Sequence, residues 1–363
     1  MKLVVGKEAL VNAVATVKRA AIQSVLFPNQ IYMVLDAGKD YLKLRATNAQ
    51  FEYEQVISAE VEEEGSIGIN AERFNQYVSK LTSGKVEMQI TDNRLFIKAG
   101  KSKSEFATVD PTLVNELLPG VDEKDCIELN CNFEQLQLIL ARTVWATNKK
   151  DDMGVITNSV WLSYNPEDNV LTAAGTDRYK IADDFTMVTS STKPFELLIN
   201  VQPVYDLLRI KCDGDANIKV KPEHYMVISF GDLIFRARLS YGNYPLYQKL
   251  FELNEATKIS LNKQELVEVL TRCLMVPNST DLKVQAKDKK LTFVNKTKEY
   301  SVEEEIEISG SEVEFWVNVR YLLDAITNFQ SEVVELLVDD KIVIVGAEDN
   351  LRVLINPLNM GGE

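Results

Sequence analysis

Hydrophobic and polar positions along the chain repeat with two periods, one typical of helices and one typical of strands. The segment INAERFNQYVSKL, from Ile69, places apolar or aromatic residues four, seven and eight positions after its asparagine. These positions share one face of an α-helix, so the segment predicts an amphipathic helix. The segment KVEMQITDNRLFIKAG, from Lys85, alternates in polarity on both sides of a short turn. It therefore predicts a β-hairpin with one buried face.

This pattern of a helix followed by a hairpin occurs three times. Similar helices begin at Asn200 (INVQPVYDLLRIK) and Asn318 (VNVRYLLDAITNF), and the three leading asparagines lie 130 and 118 residues apart. A second marker, the strand segments that begin at Leu42, Leu171 and Leu291, gives separations of 129 and 120 residues. Asparagine is a strong helix N-cap, because its side chain accepts a hydrogen bond from the first turn. Two independent markers with similar spacing indicate three structural repeats.

Each repeat also begins with a strand and another amphipathic helix. These helices read GKEALVNAVATVKRA, NFEQLQLILARTVWA and NKQELVEVLTRCLMV. The last two begin with Asn132 and Asn262, and the residues three positions later, Gln135 and Glu265, complete patterns that resemble capping boxes. Alternating strands and one apolar stripe per helix predict an α+β fold. In that fold, the two helices of each repeat pack on one face of a β-sheet.

The repeats divide the 363-residue chain into three predicted domains. The boundaries fall in LLPGVDEKD and FELNEATK, so we expect domains at residues 1–122, 123–253 and 254–363. The net charge is −14, and the three domains contribute −2, −4 and −8 in chain order. Because an acidic chain repels nucleic acid, any DNA contact would depend on where its 40 Lys and Arg side chains lie.

Composition limits the chemistry that the chain can perform. The one histidine, His224, lies in KPEHYMVISF, which predicts an exposed hairpin turn rather than a catalytic base. The four cysteines lack Cys-x-x-Cys spacing, so we expect free buried thiols and no metal or other cofactor. The N-terminal MKLVVGKEAL does not resemble a signal peptide, and no apolar run is long enough to span a membrane. These features predict a cytoplasmic protein without membrane contact.

The segment LTAAGTDRYKIADDF, from Leu171, concentrates polar residues as an active-site loop does. Asp177, Asp183 and Asp184 would be the ligands of Mg²⁺ in a metal-dependent enzyme. Asp183 and Asp184 are adjacent on a predicted strand and would face opposite sides, which disfavours a shared metal. Related segments recur in the other repeats, as expected of a structural unit. On pattern alone, a carboxylate site and an ordinary strand and bend of the core both remain open.

Several motifs, in their order and spacing, resemble the bacterial or phage beta sliding clamp family, the DNA polymerase III beta subunits. They are the threefold repeat, GTDRYKIA from Gly175, YGNYPLYQKL from Tyr241 and LINPLN from Leu354. The resemblance covers essentially the whole chain. It implies a non-enzymatic processivity factor, a head-to-tail homodimeric ring of six units whose helices line a hole for duplex DNA. A metal-dependent carboxylate-site enzyme and a DNA-independent protein scaffold are the alternatives.

The resemblance also implies a pocket where short peptide motifs of the replicative polymerase and the clamp loader dock. An apolar pocket with a few polar rim groups suits a peptide anchor, and Arg178 and Lys180 would hydrogen-bond to peptide carbonyls. The family usually has Gly-His-Arg where this chain has Arg178, Tyr179 and Lys180, so we expect an altered peptide preference. The implied pocket residues are Thr176, Arg178, Tyr179, Lys180, Ile181, Pro245, Leu250, Ile355, Pro357 and Leu358.

Two further sets of residues follow from the ring that the resemblance implies. Cations on or beside the repeated helices would contact DNA phosphates without reading bases. They are Arg19, Arg73, Lys80, Arg142, Lys149, Lys150, Arg209 and Arg320. Head-to-tail closure requires an edge of the first domain to fit an edge of the third. The residues expected at that dimer interface are Lys101, Lys103, Phe106, Leu274, Met275, Glu303 and Glu304.

Overall fold

The computed structural model of the chain describes residues 1–23, 26, 28–114, 126–148, 153–188, 190–191, 193–212, 214–309, 312–346 and 349–358. By its internal contacts the chain divides into two compact units. Unit 1 comprises Met1–Glu134, Thr189–Lys193 and Tyr205–Leu239, and unit 2 comprises Gln135–Val188, Pro194–Val204 and Ser240–Glu363. Helices and antiparallel sheets occur in both units, which confirms the predicted α+β class.

The order of helices and strands repeats three times along the chain. The first repeat contains β1 Lys2–Gly6, α1 Lys7–Val17, β2 Tyr32–Ala37, β3 Tyr41–Thr47, β4 Phe51–Glu63, β5 Gly65–Asn70, α2 Ala71–Val78, β6 Lys85–Thr91, β7 Arg94–Ala99 and β8 Ser102–Ala107. The second contains β9 Ile127–Asn132, α3 Phe133–Val144, β10 Ser159–Asn165, β11 Val170–Thr176, β12 Lys180–Met187, β13 Ser190–Ser191, β14 Phe195–Asn200, α4 Val201–Leu207, β15 Asp215–Lys221, β16 Tyr225–Phe230 and β17 Leu233–Ser240. The third contains β18 Thr257–Asn262, α5 Lys263–Cys273, β19 Asp281–Lys287, β20 Lys290–Lys296, β21 Ser301–Glu307, β22 Val313–Asn318, α6 Val319–Thr327, β23 Val333–Val338, β24 Ile342–Gly346 and β25 Arg352–Ile355.

Asparagine side chains cap the repeated helices as predicted. Asn70, Asn262 and Asn318 each accept a hydrogen bond from a backbone N–H group in the first turn of α2, α5 and α6. Asn200 accepts one from the backbone N–H of Gln202 at the start of α4. These bonds satisfy donors that a helix leaves without an intrahelical partner. The local sequence therefore determines where the helices start.

Two sheets form unit 1, and the long strand β4 belongs to both. One sheet has the order β4-β1-β6-β7-β8, and the other has the order β5-β2-β3-β4-β17-β16-β15-β9-β13. Helices α1 and α2 pack against each other. Because β4 has 13 residues, different parts of it can pair with different strands.

Two further sheets form unit 2, with the orders β14-β10-β11-β12-β25-β24-β23-β18 and β21-β20-β19-β22. Helices α5 and α6 pack against each other, and their buried side chains join one apolar core with those of both sheets. The pairings β4–β17 and β12–β25 continue sheets from one repeat into the next. The boundaries proposed at residues 122 and 253 therefore stay a prediction, and residue 122 lies outside the described part of the chain.

Histidine and cysteine environments complete the description. The His224 side chain is exposed on the turn between β15 and β16, as predicted. None of the four cysteines is in a disulfide bond; Cys131 and Cys273 are buried, while Cys126 and Cys212 are half-buried. Among the described residues, no helix combines the length and apolar character needed to cross a lipid bilayer.

Candidate functional site

An apolar cavity of about 360 Å³ opens in unit 2 beside the turn that joins β11 to β12. Segments next to β10, after β17 and around β24 and β25 complete its wall. Seven of the residues expected in a peptide pocket line it: Thr176, Arg178, Tyr179, Lys180, Ile181, Pro245 and Leu250. The other residues that line it are Ile156, Thr157, Tyr244, Tyr247, Lys341, Leu354 and Asn356.

The β11–β12 turn is held by hydrogen bonds among its own residues. Asp177 Oδ1 accepts from the backbone N–H groups of Tyr179 and Lys180, both at 3.0 Å. The Thr176 hydroxyl donates to the Lys180 carbonyl at 2.7 Å. Arg178 has a φ of +79°, a left-handed conformation that favours glycine. The turn therefore brings Arg178 and Tyr179 to the cavity in a backbone geometry that its neighbours enforce.

Lys180 lines the cavity but does not extend from its rim as expected. Its residue is only 5% exposed, and its ammonium forms an ion pair with Asp177. The ammonium also lies 4.1 Å from the centre of the Tyr321 ring on α6. A buried ammonium requires such partners, because burial removes its hydration. The expectation that Lys180 hydrogen-bonds to peptide carbonyls is therefore corrected, and Arg178 is the exposed cation of this turn.

The C-terminal strand contributes different residues from those expected. Ile355 is fully buried in the core of unit 2, and Leu354 lines the cavity in its place. Neighbouring residues on a strand face opposite sides of the sheet, so the pairing register decides which of the two is accessible. Pro357 and Leu358 do not line the cavity, whereas Asn356 does. The assignment of Ile355 is therefore corrected, whereas those of Pro357 and Leu358, which are half-buried, stay a prediction.

Aromatic rings form one side of the cavity and its support. The Trp161 ring stacks on Tyr244 with 5.4 Å between centroids, and Tyr247 meets Trp161 edge-on at 5.8 Å. Burial raises the pKa of the Tyr247 hydroxyl, which hydrogen-bonds to Asp183. The sequence offered a signal for both tyrosines, since they flank Pro245 in the motif YGNYPLYQKL. The sequence offered no signal that Lys341, in the turn between β23 and β24, would line the cavity.

The carboxylates considered as metal ligands are each paired with a cation. Asp183 accepts from the Arg352 guanidinium at 3.0 Å, and Asp184 pairs with a cation on α3. The two side chains thus have different partners, as their adjacent strand positions predicted. Burial raises the pKa of both carboxyl groups. In the described part of the chain, no group of His, Cys, Asp or Glu residues is arranged to hold a metal ion.

The α3 cation is Arg142, which we expected to contact DNA. Arg142 is only 5% exposed. Its Nη1 lies 3.2 Å from Asp184 Oδ2, and its Nη2 hydrogen-bonds to Asp349 Oδ1. A guanidinium held between two buried carboxylates is not available to phosphate. The assignment of Arg142 to DNA binding is therefore corrected, because its position on α3 faces the protein interior.

The remaining predicted DNA contacts differ in exposure. The Arg19 side chain is half-buried and donates to the Tyr53 hydroxyl at 2.9 Å, so it is held within unit 1. Four cations are exposed at or beside helix ends: Arg73, Lys80, Arg209 and Arg320. Lys149 and Lys150 lie outside the described residues. The exposed set is therefore smaller than the sequence suggested.

In the described structure, each of the two strands predicted at the interface pairs with another strand along one side only. Strand β8 pairs with β7, and β21 pairs with β20. Lys101 and Lys103 are exposed, while Phe106 meets the Tyr77 ring at 5.4 Å. On the other edge Glu303 is exposed and Glu304 is half-buried, where it accepts a hydrogen bond from Arg272 at 2.8 Å, so the place of both at an interface stays a prediction.

The two apolar residues after α5 are not equivalent. Leu274 is half-buried and packs against the core of unit 2, whereas Met275 is 69% exposed. An exposed methionine has apolar surface that a partner can cover. Met275 is therefore the better probe of an interface, since changing Leu274 also affects the core.

Comparison with known families identifies the family of the chain. The family model described as "DNA polymerase III beta subunit, N-terminal domain" matches residues 1–116, and the model described as "DNA polymerase III beta subunit, C-terminal domain" matches residues 248–353. Together the two matches cover more than half of the chain. The chain belongs to the DNA polymerase III beta subunit family. The family to which the sequence motifs pointed is thus confirmed.

Relatives of this chain span nearly the same length. The "Beta sliding clamp" of Chlamydia muridarum is 22% identical over 347 residues, covering 94% of this chain and 93% of that protein. The "Beta sliding clamp" of Pseudomonas putida is 24% identical over 356 residues, covering 94% of each. The solved DNA polymerase III subunit beta of Pseudomonas aeruginosa has a TM-score of 0.91 at 20% identity, covering 99% of this chain and 100% of that one. The beta-subunit fold is therefore shared over the full length.

Proposed function

We propose that the protein is a DNA sliding clamp, a non-enzymatic processivity factor that acts in the cytoplasm. As a head-to-tail homodimer it encircles duplex DNA and tethers the replicative polymerase and the clamp loader through short peptide motifs. The observation that carries the proposal is the match of both beta-subunit models, in order, to a chain with a threefold repeat. The relatives named as beta sliding clamps support it.

Contact with DNA in this proposal is electrostatic and independent of sequence. Arg73, Lys80, Arg209 and Arg320 are exposed at or beside helix ends, where a phosphate backbone can approach them. Contacts of this kind release counterions and weaken as salt rises. A net charge of −14 opposes tight binding, so retention on DNA would depend on enclosure rather than on affinity.

Ring closure in this proposal uses the free edges of β8 and β21 in two subunits. Lys101 and Lys103 lie at the first edge, and the second contains Glu303 in a run of acidic residues. Exposed ion pairs contribute only about 0–1 kcal/mol each, so apolar contacts are also required. Phe106 lies on β8, and Met275 follows α5, which packs on β21, so these two residues are the apolar groups that the proposal assigns to the contact.

The partner-peptide site in this proposal is the apolar cavity beside the β11–β12 turn. Tyr179, Pro245, Leu250 and Leu354 supply apolar surface, and Thr176 and Arg178 supply polar groups at its edge. A volume of about 360 Å³ suits one or two apolar side chains of a docked peptide. Such a site holds its ligand by a few buried anchors.

A threading experiment tests the clamp function without needing a loader. Linear duplex DNA is fixed to a bead at one end and incubated with the protein, after which the free biotinylated end is closed with streptavidin. We expect protein to survive a high-salt wash on this DNA, because salt disrupts phosphate contacts but not topological enclosure. Cutting the duplex with a restriction enzyme should then release it.

The control uses DNA whose free end is closed before the protein is added. A clamp should not be retained on that DNA after the salt wash. Equal retention on both DNAs would indicate that the protein binds DNA directly without enclosing it, and would contradict the proposal. Loss from both would favour a protein scaffold that does not enclose DNA.

A further inference from the structure

Unit 1 contains two adjoining cavities that the proposed function does not use. One has a volume of about 360 Å³ and the other of about 420 Å³, and Ser66 on β5 and Pro111 after β8 line both. Because they share this wall, the two cavities form one elongated groove, which we call the β5 groove. Its shape suits an extended chain better than a compact small molecule.

The edge of β5 offers main-chain hydrogen-bonding groups to the groove. One side of β5 pairs with β2, and on the other side Gly68 exchanges two hydrogen bonds with Val109, both at 2.9 Å. Alternate residues of a strand direct their backbone N–H and C=O groups to the same side, so those of Ser66 point to the side of Val109. No described residue pairs with Ser66 there. A strand edge left open in this way can accept an extended chain.

The segment after β8 forms its wall of the groove without any ligand. Asp110 accepts hydrogen bonds from the backbone N–H and the hydroxyl of Thr112, at 2.8 and 2.6 Å. Val109 approaches β5 closely, since a Cβ at Gly68 would lie only 2.6 Å from the Val109 Cγ2. The groove is therefore preformed, and the Asp110 carboxylate, which lines the larger cavity, is engaged within its own turn.

Two cations of β3, Lys43 and Arg45, line the 360 Å³ cavity. One carboxylate, that of Asp36, lines it as well and lies 3.7 Å from the Lys43 ammonium. Both of those side chains are more than one-third exposed or close to it, so water screens their attraction. Arg45 is therefore the cation of this cavity that no lining carboxylate neutralises.

The Arg45 guanidinium has hydrogen-bond donors without acceptors. Its Nη1 lies 3.7 Å from Glu52, a carboxylate that accepts a closer hydrogen bond from Arg236 at 2.7 Å. Arg45 Nη1 has no hydrogen-bond partner among the described residues, and Nη2 donates to the Val114 carbonyl at a long 3.3 Å. Buried donors are normally satisfied. A carboxylate that enters the cavity would supply the missing acceptor.

We propose that the β5 groove binds an extended segment of a partner protein, with an acidic side chain of that segment placed at Lys43 and Arg45. The main chain of the segment pairs with the open edge of β5 at Ser66. Its carboxylate accepts hydrogen bonds from the planar fork of the Arg45 guanidinium. The inference goes beyond the proposed function, because neither DNA enclosure nor the cavity beside the β11–β12 turn involves this groove.

Blocked pentapeptides that carry an uncharged dye provide the test. The peptide Ser-Thr-Glu-Thr-Ser is compared with Ser-Thr-Gln-Thr-Ser and with a Glu peptide whose threonines are N-methylated. Fluorescence anisotropy with the full-length protein should show that the Glu peptide binds about tenfold more tightly than the Gln peptide, as one charge-assisted hydrogen bond allows. N-methylation should also weaken binding, because it removes the N–H donors that pair with a strand edge.

Three variants leave Arg45 in place, so that its buried contacts are unchanged. Ser66→Glu puts a negative charge on the exposed serine of the groove and should weaken binding of the Glu peptide about tenfold. Ser79→Glu adds the same charge to an exposed serine at the end of α2 that lines neither cavity, and should leave binding unchanged. Asp36→Asn removes the competing carboxylate and should tighten binding.

Equal binding of the Glu and Gln peptides, or no binding of either, would overturn the inference. So would a loss in Ser66→Glu no larger than in Ser79→Glu. A Glu preference that N-methylation leaves unchanged would indicate a simple anion site and would overturn the strand pairing. Displacement of the Glu peptide by an unlabelled Leu-Phe peptide would place its binding in the cavity beside the β11–β12 turn, which also contradicts the inference.

The threading experiment measures the clamp function without any peptide. A protein that threads onto DNA but shows no Glu preference would therefore contradict only the β5 groove. A protein with the Glu preference that does not thread would contradict only the clamp function.

Discussion

Replacing Arg142 with methionine should destabilise unit 2, although we first expected this residue to bind DNA. The guanidinium contacts two carboxylates, Asp184 and Asp349, whose side chains are 2% and 1% exposed. Methionine fills similar space but leaves both carboxylates without their cation. Removing one partner of a buried ion pair costs about 3–5 kcal/mol. The free energy of unfolding of this unit should fall by about that amount.

Tryptophan fluorescence in urea is a selective assay for this change. The three tryptophans, Trp145, Trp161 and Trp316, all lie in unit 2 with Arg142. Their fluorescence therefore follows unfolding of the unit in which the ion pairs are lost. Protein concentration must be held constant, because dimerisation would also stabilise the folded chain. The urea midpoint of Arg142→Met should be clearly lower than that of the unmodified protein.

The loss of folding stability in Arg142→Met should depend on pH, and it should be smaller at low pH. Burial raises the pKa of Asp184 above its ordinary value even with Arg142 present. Without the cation this rise should be larger, and a carboxyl group with a raised folded pKa favours folding more as pH falls. The deficit of Arg142→Met should therefore shrink as pH is lowered through the raised pKa.

Two comparisons make the prediction refutable. Arg320→Met removes an exposed arginine of α6, in the same unit as the tryptophans, and should change the free energy of unfolding by no more than about 0.5 kcal/mol. Adding Asp184→Asn and Asp349→Asn to Arg142→Met should restore part of the loss, because no uncompensated charge remains buried. If Arg142→Met has the same urea midpoint as Arg320→Met, the interior ion-pair assignment is wrong.

Three other results are expected. Gly175→Ala should destabilise the fold by about 1–3 kcal/mol and lower the melting temperature, because a Cβ there would lie 2.3 Å from the Thr143 carbonyl oxygen. An unchanged melting temperature would contradict this close approach. Met275→Lys should shift the sedimentation profile towards monomer while leaving the circular dichroism spectrum unchanged. A variant that stays dimeric would show that Met275 is not part of the interface. Burial raises the pKa of Cys131 to about 12 and that of Cys273 to about 11, so two of the four thiols should resist iodoacetamide near neutral pH until urea is added.

The amino-acid sequence by itself determined the features that depend on neighbouring residues. The threefold repeat, the asparagine caps and the helical stripes follow from local periodicity and hydrogen bonding, and the structure confirms them. The sequence also indicated much of the cavity wall, because five of the predicted residues belong to one strand-turn-strand segment. A local motif of this kind keeps its residues together whatever the rest of the chain does.

Only the tertiary structure decided which residues face inward and which meet across the chain. The partners of Arg142 lie 42 and 207 residues away in sequence, so no local pattern could show that its charge is neutralised. Leu354 rather than Ile355 reaches the cavity because the β12–β25 register selects one face of the strand. Lys341 joins Arg178 there because strand pairing brings a distant hairpin beside the turn. Ion pairs, strand register and burial all depend on contacts between distant segments, which the order of residues alone does not contain.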